Sequence, residues 1–246
     1  MAGRKSGGGR RSSSTGGSQK GGNARQLHTK VKTARGRKTS STQWLQRQLN
    51  DPYVAQAKID GYRSRAAYKL RDLDDKFRFL KPGQHIVDLG AAPGGWSQVA
   101  AARVTSSGAG GQVIAVDILE MDEVADVTFM QLDMREPASI KTVLAAAGGN
   151  VDVVLSDLAP STTGHGPTDH LRIVALVEVA LDIALEMLSP GGTFVAKVFK
   201  GGAEGEILSS LKANFDTVKH AKPPSSRPES AETYVVALKY RGAAAR

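Results

Sequence analysis

Val87-Asp88-Leu89-Gly90-Ala91-Ala92-Pro93-Gly94-Gly95-Trp96-Ser97-Gln98 carries the chain from a short apolar run, His85–Leu89, through a glycine-rich turn into a helix that begins near Trp96. A strand that ends in such a turn and re-enters as a helix is the opening unit of an α/β sheet. Small residues let a ligand come close to the backbone, and the first N–H groups of the helix lack intrahelical partners. The turn is not the dinucleotide fingerprint. Counting from Gly90, Ala92 stands where G-x-G-x-x-G requires its second glycine, and Pro93 imposes a shape that loop does not need. A nicotinamide cofactor, and with it a dehydrogenase, is disfavoured.

Downstream of this unit, strands are expected at Gln112–Val116, Val127–Gln131, Val151–Ser156 and Thr193–Val198, with helices at Ala138–Ala147 and Asp169–Leu188 between them. Ser189-Pro190-Gly191-Gly192 reads as the stop signal of the second helix. A last helix, Glu204–Asn214, precedes strands at Phe215–Lys219 and Thr233–Lys239. Upstream, Thr42–Asn50, Asp51–Asp60 and Arg65–Leu80 read as helices. Asp51 suits a cap and Pro52 the first helical position. Alternating strands and helices predict one Rossmann-like α/β domain, a mostly parallel seven-stranded sheet with helices on both faces.

In such sheets ligands lie beyond the carboxyl ends of the strands, where the strand order switches. The first strand runs into the glycine turn, the second ends at Asp117, the third at Asp133 and the fourth at Asp157, and the fifth contains Lys197. Asp117, about 20 residues past the turn, suits ribose hydroxyls. Asp133 suits an adenine amino group. Each aspartate alone would more often be a helix cap or a turn former; the ordered set points to an adenosine-bearing cofactor. Lys197 inside an apolar strand is costly to bury unpaired, and Asp157 ends the neighbouring strand. Glu232, just before the last strand, adds another carboxylate, although such a residue alone would usually be solvated.

Charge is unevenly placed. Residues 1–40 hold 11 of the 33 Lys and Arg and none of the 24 acidic residues, so the rest of the chain carries −2. The tail, residues 1–41, is Gly- and Ser-rich with few large apolar side chains, and is expected to be disordered. It reads equally well as an arm toward nucleic-acid phosphates or as a solubilising extension. Residues 42–246 form the single domain, with 42–80 as a helical lead-in. There is no cysteine, so no thiolate metal site or disulfide is possible, and no apolar run reaches the length of a membrane span. Cytoplasm is the expected location. Arg47, Lys58, Arg63, Arg65, Lys69 and Arg71 are expected to form a basic face beside the site, with Ser225-Ser226-Arg227 as a weaker phosphate contact.

RSRAAYKL (Arg63–Leu70), VDLGAAPGGWSQ (Val87–Gln98), SDLAP (Ser156–Pro160), VAKVFKG (Val195–Gly201) and ETYVVA (Glu232–Ala237) occur in this order. Together they resemble the FtsJ-like ribosomal RNA large-subunit methyltransferase E family, over roughly residues 42–240. The resemblance implies an S-adenosylmethionine-dependent methyltransferase fold and a catalytic tetrad of Lys69, Asp157, Lys197 and Glu232, with Lys197 as proton acceptor. It implies cofactor contacts at Gly94, Trp96, Asp117, Asp133 and Asp157, and no metal. The implied reaction is 2'-O-methylation of a uridine in the A-loop of large-subunit ribosomal RNA within the 50S subunit, by a monomer. Transfer-RNA and cap ribose methylases share the tetrad and remain alternatives, as does a ribosome-assembly factor acting mainly by binding. Ser161 departs from the family pattern, where Asn is expected, and the tail is longer than in familiar bacterial members.

Overall fold

The computed structural model describes Gly3 and residues 39–160, 166–199 and 204–242. Apart from Gly3 and residues 39–41, the expected basic tail lies outside the described residues, as does Ser161. In chain order the elements are α1 (Thr39–Leu49), α2 (Pro52–Ile59), α3 (Ala66–Phe77), β1 (His85–Leu89), α4 (Gly95–Val104), β2 (Gln112–Asp117), β3 (Val127–Gln131), α5 (Pro137–Ala147), β4 (Val151–Ser156), α6 (Gly166–Met187), β5 (Leu188–Phe199), α7 (Glu204–Asn214), β6 (Phe215–Ala221) and β7 (Glu232–Tyr240). The seven strands form one sheet in the order β3-β2-β1-β4-β5-β7-β6. All neighbours are parallel except β5–β7 and β6–β7.

Strand alternation divides the core between two faces. Val87, Leu89, Phe194, Ala196, Val235 and Ala237 pack with α5, α6 and α7, whereas Ile86, Val195, Tyr234 and Val236 pack with Ala67, Leu70 and Leu73 of α3 and Val99 of α4. Every one of these side chains is nearly or fully buried. Lys197 is two residues beyond Val195, and Glu232 is two before Tyr234. Both therefore belong to the face covered by α3 and α4. That parity, set by the apolar pattern of two strands, places the charged residues on the side from which α3 brings Lys69.

The lead-in helices differ from expectation at their ends. α1 starts at Thr39, three residues early, where the Ser/Thr run suits a first turn whose N–H groups have no intrahelical acceptor. α2 is capped as expected, with the Asp51 carboxylate accepting the Tyr53 N–H at 3.0 Å and Pro52 opening the helix. α3 stops at Phe77 because Arg78 turns left-handed (φ 53°) and the buried Asp74 carboxylate accepts the Leu80 N–H at 2.8 Å. The larger difference is in β5. Ser189–Gly192 does follow the end of α6 at Met187, but it lies inside β5 as a bulge, where Leu188 pairs with Val151 and then Thr193 with Val153. Gly191, at φ 86°, supplies a backbone state that other residues resist.

Candidate active site

Reading outward from β1, the strand order runs one way through β2 and the other way through β4, so the switch lies between the carboxyl ends of β1 and β4. The glycine turn leaves β1 and Asp157 leaves β4 at this point. The turn is tightened by the Gly94 N–H donating to the Ala91 carbonyl at 2.6 Å. Gly94 sits at φ 104°, and a Cβ there would meet Val124 Cγ2 at 2.9 Å; one on Gly95 would meet Ser64 Oγ at 2.4 Å. The Ser64 hydroxyl is buried against this turn with no protein partner. A bare backbone, unpartnered helix N–H groups and an orphaned hydroxyl make a cradle suited to a carboxylate-bearing ligand. Trp96 closes its floor. Its ring is buried, and its indole N–H donates to the Ala66 carbonyl at 2.9 Å, tying α4 to α3.

Asp117 braces the same turn. One carboxylate oxygen accepts the Ala92 N–H and the other the Leu119 N–H, both at 2.9 Å, leaving further lone pairs free. Beside it opens a cleft of about 890 Å³ lined by Arg63, Pro93, Leu119, Met121 and Phe129. Asp133 stands at the end of β3, where the Arg135 guanidinium grips both of its oxygens. Those bonds, with the Arg135 N–H, hold the Asp133 carboxyl down at about 2. Asp88, beneath the turn, is fully buried and accepts the Ser97 hydroxyl at 2.6 Å. Burial, reinforced by the Asp157 and Asp117 carboxylates, pushes it up to about 7.

Four charged groups expected from the sequence meet beside this cradle. Lys197 Nζ lies 3.0 Å from the Asp157 carboxylate and donates to the Asp157 carbonyl at 2.8 Å. Lys69 Nζ lies 2.6 Å from the Glu232 carboxylate. The two pairs are joined by a residue of β7 to which the sequence assigns only a place in a strand. The Tyr234 hydroxyl donates to Glu232 at 2.9 Å and reaches Asp157 at 3.3 Å. Burial and then the two carboxylates raise the Tyr234 hydroxyl well above the ordinary phenol range, so it stays a donor. For Glu232, burial pushes upward, but the Lys69 ammonium, the Tyr234 hydroxyl and the Lys197 charge outweigh it and hold the carboxyl low. The available signal was parity. Tyr234 is two residues past Glu232 on one strand and so shares its face.

The expected basic face is largely engaged inside the protein. Arg65 and Arg227 both pair with the buried Asp51 carboxylate, and Arg65 also donates to the Ser225 carbonyl. Arg71 stacks 4.6 Å from the Tyr68 ring centroid. The Arg63 guanidinium donates to the carbonyls of Pro93, Asp122 and Glu123. A buried aspartate capping α2 and carbonyls on nearby loops outcompete solvent for these arginines. Composition does not reveal such acceptors. Ser225 is likewise buried, its N–H held by Asp72 at 3.0 Å. Among the described residues no group of three or more His, Asp or Glu side chains is placed to hold a metal ion.

The family model described as FtsJ-like methyltransferase matches residues 62–240. The Ribosomal RNA large subunit methyltransferase E of Rhodopseudomonas palustris (strain BisA53) is 59% identical over 217 residues, 88% of this chain and 92% of the relative. Its namesake from Paramagnetospirillum magneticum is 59% identical over 228 residues, 92% of this chain and 93% of the relative. Among solved structures, a ribosomal RNA methyltransferase from Plasmodium falciparum superposes with a TM-score of 0.66 at 29% identity, covering 74% of this chain and all of that one.

Proposed function

The chain belongs to the FtsJ-like methyltransferase family, and on that premise we propose that it transfers a methyl group from S-adenosylmethionine to a ribose 2'-hydroxyl of large-subunit ribosomal RNA. The observation that carries this reading is the meeting of Lys69, Asp157, Lys197 and Glu232, from four separate elements, at the switch point beside the glycine cradle. The names of the relatives favour ribosomal over transfer RNA. The finer target, a uridine of the A-loop in the assembled 50S subunit, follows the family, as do a cytoplasmic location and a monomeric, metal-free enzyme.

The cradle fits the cofactor. Gly94 and Trp96 would hold its amino-acid end, Asp117 its ribose and Asp133 its adenine, with Asp157 near the sulfonium. Bound there, it supplies a methyl carbon made electrophilic by positive sulfur. Lys197 does the rest. Two of its tetrahedral directions are taken by the Asp157 carboxylate and carbonyl, which fixes the amine and leaves its remaining position for the target hydroxyl. Lys197 must first give up its own proton to solvent; as the neutral amine it would then take the proton of the target hydroxyl, freeing the ribose oxygen for the methyl group that the cofactor would supply. Asp157 then stabilises the ammonium so formed. Lys69 and Glu232, neutralising each other, hold the far wall of the ribose site.

Methyl transfer from labelled cofactor to whole large subunits, naked ribosomal RNA and transfer RNA, run in parallel, tests this. Incorporation at a ribose of the large-subunit RNA is expected. Activity confined to transfer RNA, or assembly support without any methylation, would overturn it.

A further inference from the structure

We propose that Arg63 is a positioning residue for the cofactor, clamping together the two walls of the pocket without taking part in transfer; this rests on the reading above. Its guanidinium donates to the Pro93 carbonyl at 3.3 Å, in the glycine turn, and to the Asp122 carbonyl at 2.7 Å, in the loop that follows β2. A further bond reaches the Glu123 carbonyl of that same loop. The turn and the loop are the opposite sides of the cleft in which Leu119, Met121 and Phe129 also lie. They are distant in the chain: 28 residues lie between Pro93 and Asp122. The clamp lies directly over the cradle, since a Cβ on Gly94 would stand 3.3 Å from Arg63 Cδ and 3.1 Å from Met121 Sδ.

The anchor of the clamp is itself fixed. The Arg63 N–H donates to Gln98 Oε1 at 2.9 Å, and Gln98 Nε2 donates to the Gly61 carbonyl at 3.0 Å. Gln98 stands in the first turn of α4, the helix that begins at the cradle. Arginine suits the task because its planar fork presents several donors in fixed directions, so that one side chain spans carbonyls of two loops. All of these acceptors are neutral main-chain oxygens. The clamp is therefore a matter of geometry rather than of charge pairing, and its effect should be insensitive to salt. An arginine acting on RNA phosphates would behave oppositely, since each phosphate contact adds to the salt dependence of RNA binding.

The test is calorimetric titration of the full chain with S-adenosylmethionine and S-adenosylhomocysteine, using Arg63→Ala, Arg63→Lys and, as a control, Arg103→Ala. Arg103 is an exposed arginine that ties α3 to α4 through Asp74 and Asp75, away from the cleft. Loss of multidentate donors to carbonyls predicts a Kd raised about ten- to a hundredfold in Arg63→Ala. Arg63→Lys restores little of it because one ammonium cannot span both loops. The ratio to the unaltered protein holds from low to high salt, Arg103→Ala binds normally, and the kinetic cost falls on KM for the cofactor rather than on kcat. A Kd within twofold of the unaltered protein overturns the role of Arg63 and leaves the methyltransferase reading standing. So does a defect seen only in RNA binding, with a reduced salt slope. If the unaltered protein binds neither nucleoside, the methyltransferase reading itself fails.

Discussion

Lys197 on β5 and Tyr234 on β7 are register partners across an antiparallel ladder, and both reach the carboxylate of Asp157, at 3.0 and 3.3 Å. A cross-strand pair thus holds the residue that leaves a third strand, β4. The same tyrosine hydroxyl donates to Glu232, which Lys69 of α3 grips from the other side. Two lysines and two carboxylates are thereby locked into one set, three of them placed by the sheet and Lys69 by α3.

Replacing Lys197 with methionine keeps the length and apolar stem of the side chain but removes the amine proposed as proton acceptor. Transfer should fall by about 10²-fold or more, the usual worth of a positioned acid–base group. Single-turnover methylation checks it, with cofactor titration showing that the pocket survives. Near-full transfer in this variant would remove Lys197 from the reaction.

Tyr234→Phe deletes one hydroxyl and keeps the ring, which packs 5.7 Å from Trp96 and 5.9 Å from Lys69 Nζ. Two carboxylates lose a shared donor, so stability should drop by about 1 kcal/mol and transfer by roughly tenfold, with cofactor binding retained. Denaturant titration and methylation kinetics measure the two effects separately. A variant as active and as stable as the parent would show that the hydroxyl organises nothing.

Asp51→Asn leaves the guanidiniums of Arg65 and Arg227 facing each other around a neutral amide. Breaking a buried pair by removing its shared acid costs about 3 kcal/mol, somewhat less here because Arg227 is partly exposed. Adding Arg227→Gln should recover part of the loss by relieving the repulsion. A double-mutant cycle in denaturant provides the number. Simple additivity would mean the two arginines do not share the acid.

Asp88 gives the fold a pH dependence of calculable sign. Its carboxyl titrates near 7 when folded, well above the range of an unfolded aspartate. The folded state therefore binds the proton more tightly, and the stability this supplies is complete below about pH 4 and lost as pH rises through 7. Asp88→Asn abolishes that loss. The stability of the variant relative to the parent should grow by roughly 2 to 4 kcal/mol between about pH 4 and pH 8. Unfolding free energies at several pH values decide the matter, through the slope rather than the offset, since the new amide adds a constant cost. Parallel curves would place Asp88 in a polar environment.

Much of this was legible in the chain itself. The strand ends announced Asp117, Asp133 and Asp157, and the order of five short motifs pointed to the family and its tetrad. These signals are local, since each depends on where a strand stops. What the sequence concealed depends on distant partners. Nothing near Arg65 or Arg227 reveals that both would turn to Asp51, and nothing near Arg63 reveals carbonyls 59 and 60 residues away. Tyr234 was hidden for a different reason. A tyrosine in an apolar strand is indistinguishable from core until the neighbouring register is known. Likewise, Ser189–Gly192 has the composition of a turn, and only pairing with β4 makes it a bulge.

The last strand in sequence is not at the edge of the sheet. β7 lies between β5 and β6 and carries both Glu232 and Tyr234. A chain still being synthesised, with residues 1–231 already made, lacks Glu232 and Tyr234 of the charged cluster and leaves β5 and β6 without the strand that joins them. The charged set is therefore complete only after the closing segment has emerged and inserted between its two neighbours.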